Sequence, residues 1–162
     1  MAQVDYFLKI DTVTSESTDD KHKGEIDVES FSWGETNAGT AGHGAGGGAG
    51  KVAPQDFHFV KKLDKSSPVL FIGCATGTHY KSAILTARKA GGGQQDYLKI
   101  TMSDVMVSSY QVGGSEASGV VPTDQISLNF AKLEFSYKPQ KPDGSLDAEV
   151  KRTYDFAANK KV

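Results

Sequence analysis

Residues 97–111, YLKITMSDVMVSSYQ, decide how this chain folds. Leu98, Ile100 and Met102 are apolar at even positions, whereas Val105 and Val107 are apolar at odd ones. Alternation with period two marks a strand with one buried face, and a change of parity inside it marks a bulge or bend where the inward face changes sides. The slip recurs where Ile126, Leu128 and Phe130 give way to Leu133, Phe135 and Tyr137. It occurs again upstream, where Ile26 and Val28 give way to Phe31 and Trp33. Three slips imply long curved strands, which a sheet needs in order to close into a barrel or to turn a corner between packed sheets.

Working outward, Val4, Tyr6, Leu8 and Ile10 share one face of a first strand. Turns fall at Gly91-Gly92-Gly93, at Gly113-Gly114-Ser115 and at Pro142-Asp143-Gly144, each between strand patterns. One helix is legible: Ser66 and Ser67 offer an N-cap, Pro68 suits the first helical position, and the apolar run 69–75 continues until Gly77 stops it. That helix is expected to be short and largely buried. The run 38–50, AGTAGHGAGGGAG, holds seven of the 18 glycines and no side chain larger than His43, so it reads as a long flexible loop. The predicted architecture is therefore mainly β: a bent-strand β-barrel, built as two packed sheets from a meander of six to eight strands. One short flanking α-helix and the glycine-rich loop complete it.

With 162 residues the chain is expected to be a single domain, and it can bury a full core without staples. Cys74 is the one cysteine, which excludes an intrachain disulfide and the common zinc modules. A net charge of −2 argues against a nucleic-acid backbone binder. The longest apolar run, 69–75, is far too short to span a membrane, and the opening MAQVDYFLKID lacks the pattern of an export signal, so neither membrane insertion nor a cleaved leader is expected. Charge is nevertheless uneven. Residues 1–36 carry nine acidic and three basic side chains, whereas 51–99 carry eight basic and three acidic. Opposite patches on one subunit are what head-to-tail association uses.

Sites for chemistry are scarce. Residues 46–51, GGGAGK, imitate a phosphate loop, but Ala45 stands where its first glycine belongs, Val52 replaces the magnesium-binding hydroxyl, and a strand rather than a helix follows. His22, His43, His58 and His79 are too scattered for a helical metal pair and are expected on the surface or in loops. No nucleophile elbow is present, Cys74 reads as a small core residue, and the parity of Trp33 with Phe31 places it in the core. No catalytic, cofactor or metal site is expected. If Phe31 and Trp33 point inward, Ser30 and Ser32 point away from the core.

Taken together, VDYFLKI (4–10), GEIDVESFSWG (24–34), the glycine-rich run entering GKV (50–52), DFHFVKKLDKSSPVLF (56–71), GTHYKSAILTARKAGG (77–92), the long strand of 97–115 and VPTDQISLNFAKLEFSYKPQKPDGS (121–145) resemble the haemolysin-coregulated protein (Hcp) family. Members form the inner tube of the bacterial type VI secretion system. The resemblance spans almost the whole chain, and no extra domain is expected after it. It implies a homo-hexameric ring, rings stacked into a hollow tube, a contractile sheath and baseplate around it, a VgrG-like spike at its tip and secreted effectors in its lumen. It also implies residence in the bacterial cytoplasm, followed by secretion to the medium or a target cell. By the same resemblance Ser32, with Ser30 beside it, faces the channel and contacts effectors. The loop 38–50 is expected to reach from ring to ring, with Gly42, His43, Gly44, Gly46, Gly47, Gly48 and Gly50 permitting close backbone approach. The alternatives are a phage-type tail-tube protein and a small-ligand-binding β-barrel, the latter requiring a deep pocket with convergent polar groups.

Overall fold

The computed structural model describes residues 4–39, 50–89 and 93–162. Its strands are β1 (Val4–Ile10), β2 (Ile26–Val28), β3 (Ser30–Ser32), β4 (Glu35–Asn37), β5 (Val52–Pro54), β6 (Phe57–Lys62), β7 (His79–Lys89), β8 (Asp96–Gly113), β9 (Thr123–Tyr137), β10 (Val150–Asp155) and β11 (Lys160–Lys161), with one helix, α1 (Ser67–Thr76). Nine strands form one sheet along the path β11-β10-β9-β8-β7-β1-β2, with β6 branching from β9 and carrying β3; β4 and β5 form a separate ribbon. The mainly β class with two sheets and one α-helix is as expected, but eleven strands are described rather than six to eight, and the sheet does not close into the predicted barrel. The hydrogen-bonded ladder stays open between β2 and β3. There the chain itself bridges the seam through Glu29, whose backbone N–H donates to the Val60 carbonyl at 2.8 Å.

The parity slips have two origins. The first, between Val28 and Phe31, is the point where the chain leaves β1 as partner and joins β6. The other two are one feature. In the register of β7, β8 and β9, Ser82 faces Ser103 and Tyr80 faces Val105, while Ser103 faces Lys132 and Val105 faces Phe130. The skipped residues Lys81, Asp104 and Ala131 therefore lie on one line across three strands. Asp104 takes a left-handed backbone with φ 54°. Every buried face resets along that line: Tyr80 gives way to Ala83, Met102 to Val105 and Phe130 to Leu133. At the same line β9 changes neighbour, from β6 over 123–128 to β10 over 132–137. The Ala131 carbonyl accepts from the N–H groups of Phe156 and Ala157, which ties down the end of β10. Trp33, Phe130 and Phe156 fill the fork, with ring centroids 6.4 Å and 5.8 Å apart.

The core lies between these curved faces and contains Leu8, Ile26, Phe57, Phe59, Leu70, Leu85, Met102, Val105, Ile126 and Leu128. A second, smaller packing covers the outer side of β1 and β7. There residues 11–25 fold back so that Phe7 stacks on His22 at 4.3 Å, and Arg88 lies over the Phe7 ring. Arg88 grips Asp19 with two bonds of 2.9 and 2.6 Å, and the hydrogen bonds it donates lower the Asp19 carboxyl to about 2. His22 thus lies in a loop, as the sequence led us to expect, but it is buried rather than on the surface. Burying both faces of β7 needs this cover, and no alternation announces it.

Helix α1 also departs from expectation. Its inward face holds Ser67, Leu70 and Gly73, but Val69, Phe71 and Ile72 are 47%, 53% and 52% exposed. A run that is apolar all round carries no period to say which side is covered. Ser66 is the N-cap residue but makes no side-chain cap, because its hydroxyl donates to the Asp64 carboxylate instead. At the other end Gly77 closes the helix with φ 64°, as its position predicts.

The left-handed backbone at Asp104 generates a prediction. Replacing it with a β-branched residue costs about 1–2 kcal/mol and replacing it with glycine costs less, since only the former pays the steric penalty at positive φ. Denaturant unfolding of Asp104→Val and Asp104→Gly checks the order; equal destabilisation by the two contradicts it.

Candidate functional site

Ser30 and Ser32 are brought to the surface by the way β3 docks. Phe31 points inward, packed edge-on against Tyr6 at 5.2 Å and stacked on Phe57 at 5.7 Å, so its neighbours must face out. Trp33 likewise lies partly buried against the core, as parity predicts. The register then assembles a wall from four strands. Ser32 pairs with His58, His58 with Ser127, and Ser127 with Ser109. The next row runs Ser30, Val60, Gln125 and Gln111. A third is closed by Asp56, which accepts from Ser108 at 2.6 Å and from Asn129 at 3.0 Å. His58 Nδ1 lies 3.1 Å from the Ser127 hydroxyl. The outward residues are mostly short and polar, and the side chains from β3, β8 and β9 in these rows carry no formal charge.

Behind that wall, where α1 meets β6 and β9, sits a charged cluster that sequence reasoning missed. Lys61 and Asp124 are fully buried and 2.7 Å apart. The Lys61 ammonium also donates to the Ser67 hydroxyl at 2.7 Å and to Asp64 at 2.9 Å, while Tyr110 donates to the other Asp124 oxygen at 3.0 Å. Burial works to raise the Asp64 carboxyl, but the bonds from Ser66 and Lys61 outweigh it and hold it below its usual value. Burial, then the bond to Asp124 and its charge, push the Tyr110 hydroxyl up. Both Asp124 oxygens and Asp64 Oδ1 are occupied, so the cluster anchors the helix start rather than offering a reactive group. Its signal was present: Lys61 continues the inward parity of Phe57 and Phe59, and Asp124 that of Ile126 and Leu128.

Of the expected loop residues, Gly42, His43, Gly44, Gly46, Gly47 and Gly48 lie outside the described residues. Gly50 is placed, and a Cβ there would meet the Ala38 carbonyl oxygen at 2.5 Å, so a glycine is needed where the two arms leading to β4 and β5 come together. Residues 52–54 form a strand, which removes the phosphate-loop context. Among the described residues, no three His, Cys, Asp or Glu side chains gather as a metal site, and no helix is long and apolar enough to cross a membrane. A cleft with an apolar floor lies on the far side of the fork, lined by Trp33, Leu133, Phe135, Tyr154 and Phe156 with Glu35, Arg152 and Lys161 at its edge. It does not include Ser30 or Ser32.

The sequence of the type VI secretion system effector family, Hcp, matches residues 7–137. The chain belongs to the Hcp family. It is 49% identical over 145 residues to the protein hcp1 of Pseudomonas aeruginosa, covering 89% of each. Its fold superposes on the crystal structure of Hcp1 from Salmonella typhimurium with a TM-score of 0.81 and 35% identity over the full length of both chains. A structure described as a type six secretion system protein gives a TM-score of 0.93 at 28% identity, covering 99% of this chain and 100% of the other. As an Hcp protein the chain is a structural tube subunit of type VI secretion.

The buried pair yields a test of the anchor. Lys61→Met leaves Asp124 charged and unpaired, at a cost of about 3–5 kcal/mol. Lys61→Met combined with Asp124→Asn recovers part of that loss, as read by urea unfolding. A double variant no more stable than the single one contradicts the assignment.

Proposed function

We infer that this Hcp chain, acting as a single tube domain, assembles into a hexameric ring whose passage is lined by the outward face of β3, β6, β9 and β8. The observation that carries the reading is the composition of that face. Ser30, Ser32, Gln125, Ser127, Ser109 and Gln111 make a polar, wetted surface, which lets cargo pass without being held fast. The apolar exposures lie elsewhere. Val69, Phe71 and Ile72 on α1, and Phe135, Tyr137 and Val150 at β9 and β10, give a neighbouring copy something to cover. Among the described residues the short β2 and β3 each keep one edge without a partner in the ladder, and such edges template pairing with another chain. A heterologous contact repeated at the correct rotation closes into a ring.

On this reading rings stack into the tube through the segment 38–50, carried between the arms of the β4 and β5 ribbon. The contractile sheath and baseplate surround the tube, a VgrG-like spike caps it, and effectors travel inside. The chain leaves the bacterial cytoplasm with them and performs no catalysis.

Two outcomes are expected. Ser32→Gln lengthens a side chain in the passage, so rings form normally while effector levels recovered with the protein fall; unaltered effector levels contradict the channel placement. Deleting residues 44–49 leaves folded rings, seen by native mass spectrometry, that stack poorly under the electron microscope. Unchanged tubes rule out the stacking role.

A further inference from the structure

We propose that His58, flanked by Ser32 and Ser127, is an anion-binding station in the channel wall that takes carboxylate-rich segments of cargo when protonated and lets them go when neutral. The proposal rests on the channel reading above and asks what that wall can recognise.

His58 stands in the middle of the row that starts at Ser32. The charged groups around it are few. Asp56, just ahead of β6, and Lys62, at its end, share the outward parity of His58, and Asp56 is already tied to Ser108 and Asn129. From β3 come Ser30 and Ser32, with Glu29 just ahead of the strand; from β9 come Thr123, Gln125, Ser127 and Asn129; from β8 come Ser109 and Gln111. None of these residues from β3, β9 and β8 carries a charge. Asp56, Lys62 and Glu29 stand outside the row Ser32, His58, Ser127 and Ser109, in which His58 is the one titratable side chain, so its protonation alone gives that row a charge. An imidazole is the side chain whose ordinary titration falls between about pH 5 and 8.

The hydrogen bond to Ser127 suits a group that changes state in place. A hydroxyl both donates and accepts, so it serves Nδ1 whether or not that nitrogen holds a proton. The second ring nitrogen, Nε2, has no partner among the described residues and is left for a ligand oxygen. Ser32, directly across the strand pair, supplies a further donor. Each site alone is weak because it is partly wetted. A ring brings one copy per subunit to the same level of one passage, and several such contacts on one polyanion multiply.

The test uses purified rings and pyrenetetrasulfonate, an anion whose charge does not vary over the range used, followed by fluorescence anisotropy. Wild-type rings are expected to bind it about tenfold more tightly at about pH 5.5 than at about pH 8, and His58→Gln rings to bind it weakly and equally at both. A polyglutamate peptide should displace the dye at the lower pH, and polylysine should not. Wild-type binding that ignores pH, or a pH dependence retained in His58→Gln, overturns the assignment while leaving the channel intact. Should native mass spectrometry of the wild type show no ring, the channel reading fails and the station falls with it.

Discussion

The structure depends on a bend that three strands share. A strand can bury only one of its two faces against a core, and β8 and β9 are too long to lie flat over one. The line through Lys81, Asp104 and Ala131 resets which residues point inward, so a single pair of strands serves two packings. Below it β9 pairs with β10; above it β9 pairs with β6, which carries β3 and with it Ser30 and Ser32. Without that reset, the polar wall and the core would exchange sides partway along each strand.

The wall also needs a rigid backing, and the buried ion pair supplies it. Lys61 and Asp124 lie at the ends of β6 and β9 nearest α1, and through Ser67 they fix where the helix starts. Burying two charges is costly, so such a pair adds little net stability over an apolar replacement, but once built it tolerates no missing partner. It places α1 with Val69, Phe71 and Ile72 turned to the outside, where a second copy can reach them. Core, anchor and outer surface are thus linked through one short stretch, residues 57–72.

Much of this was legible in the sequence, and the reasons for the remainder are physical. The alternations of β1, β6, β8 and β9 identify the class, and the outward position of Ser30 and Ser32 follows from Phe31 alone. That two of the three parity slips are one line across the sheet depends on register between distant strands, which no local pattern encodes. The pairing of His58 with Ser127 is of the same kind, two outward residues whose adjacency exists only after β6 meets β9. Helix α1 misled because its apolar run has no polar side. His22 misled because its burial comes from a covering segment, 11–25, that is itself polar. Lys61 and Asp124 were readable from parity, as charges in apolar alternations. Membership of the Hcp family came from the order of many segments together, not from any one motif.

The most direct measurement is a cryo-electron-microscopy reconstruction of the assembled protein. The account predicts a closed ring with Ser32, His58 and Ser127 on the inner wall of its passage and the Val69, Phe71 and Ile72 side of α1 against a neighbouring copy or the outer surface. A ring with Ser32 and His58 on its outside, or buried between subunits, would contradict it.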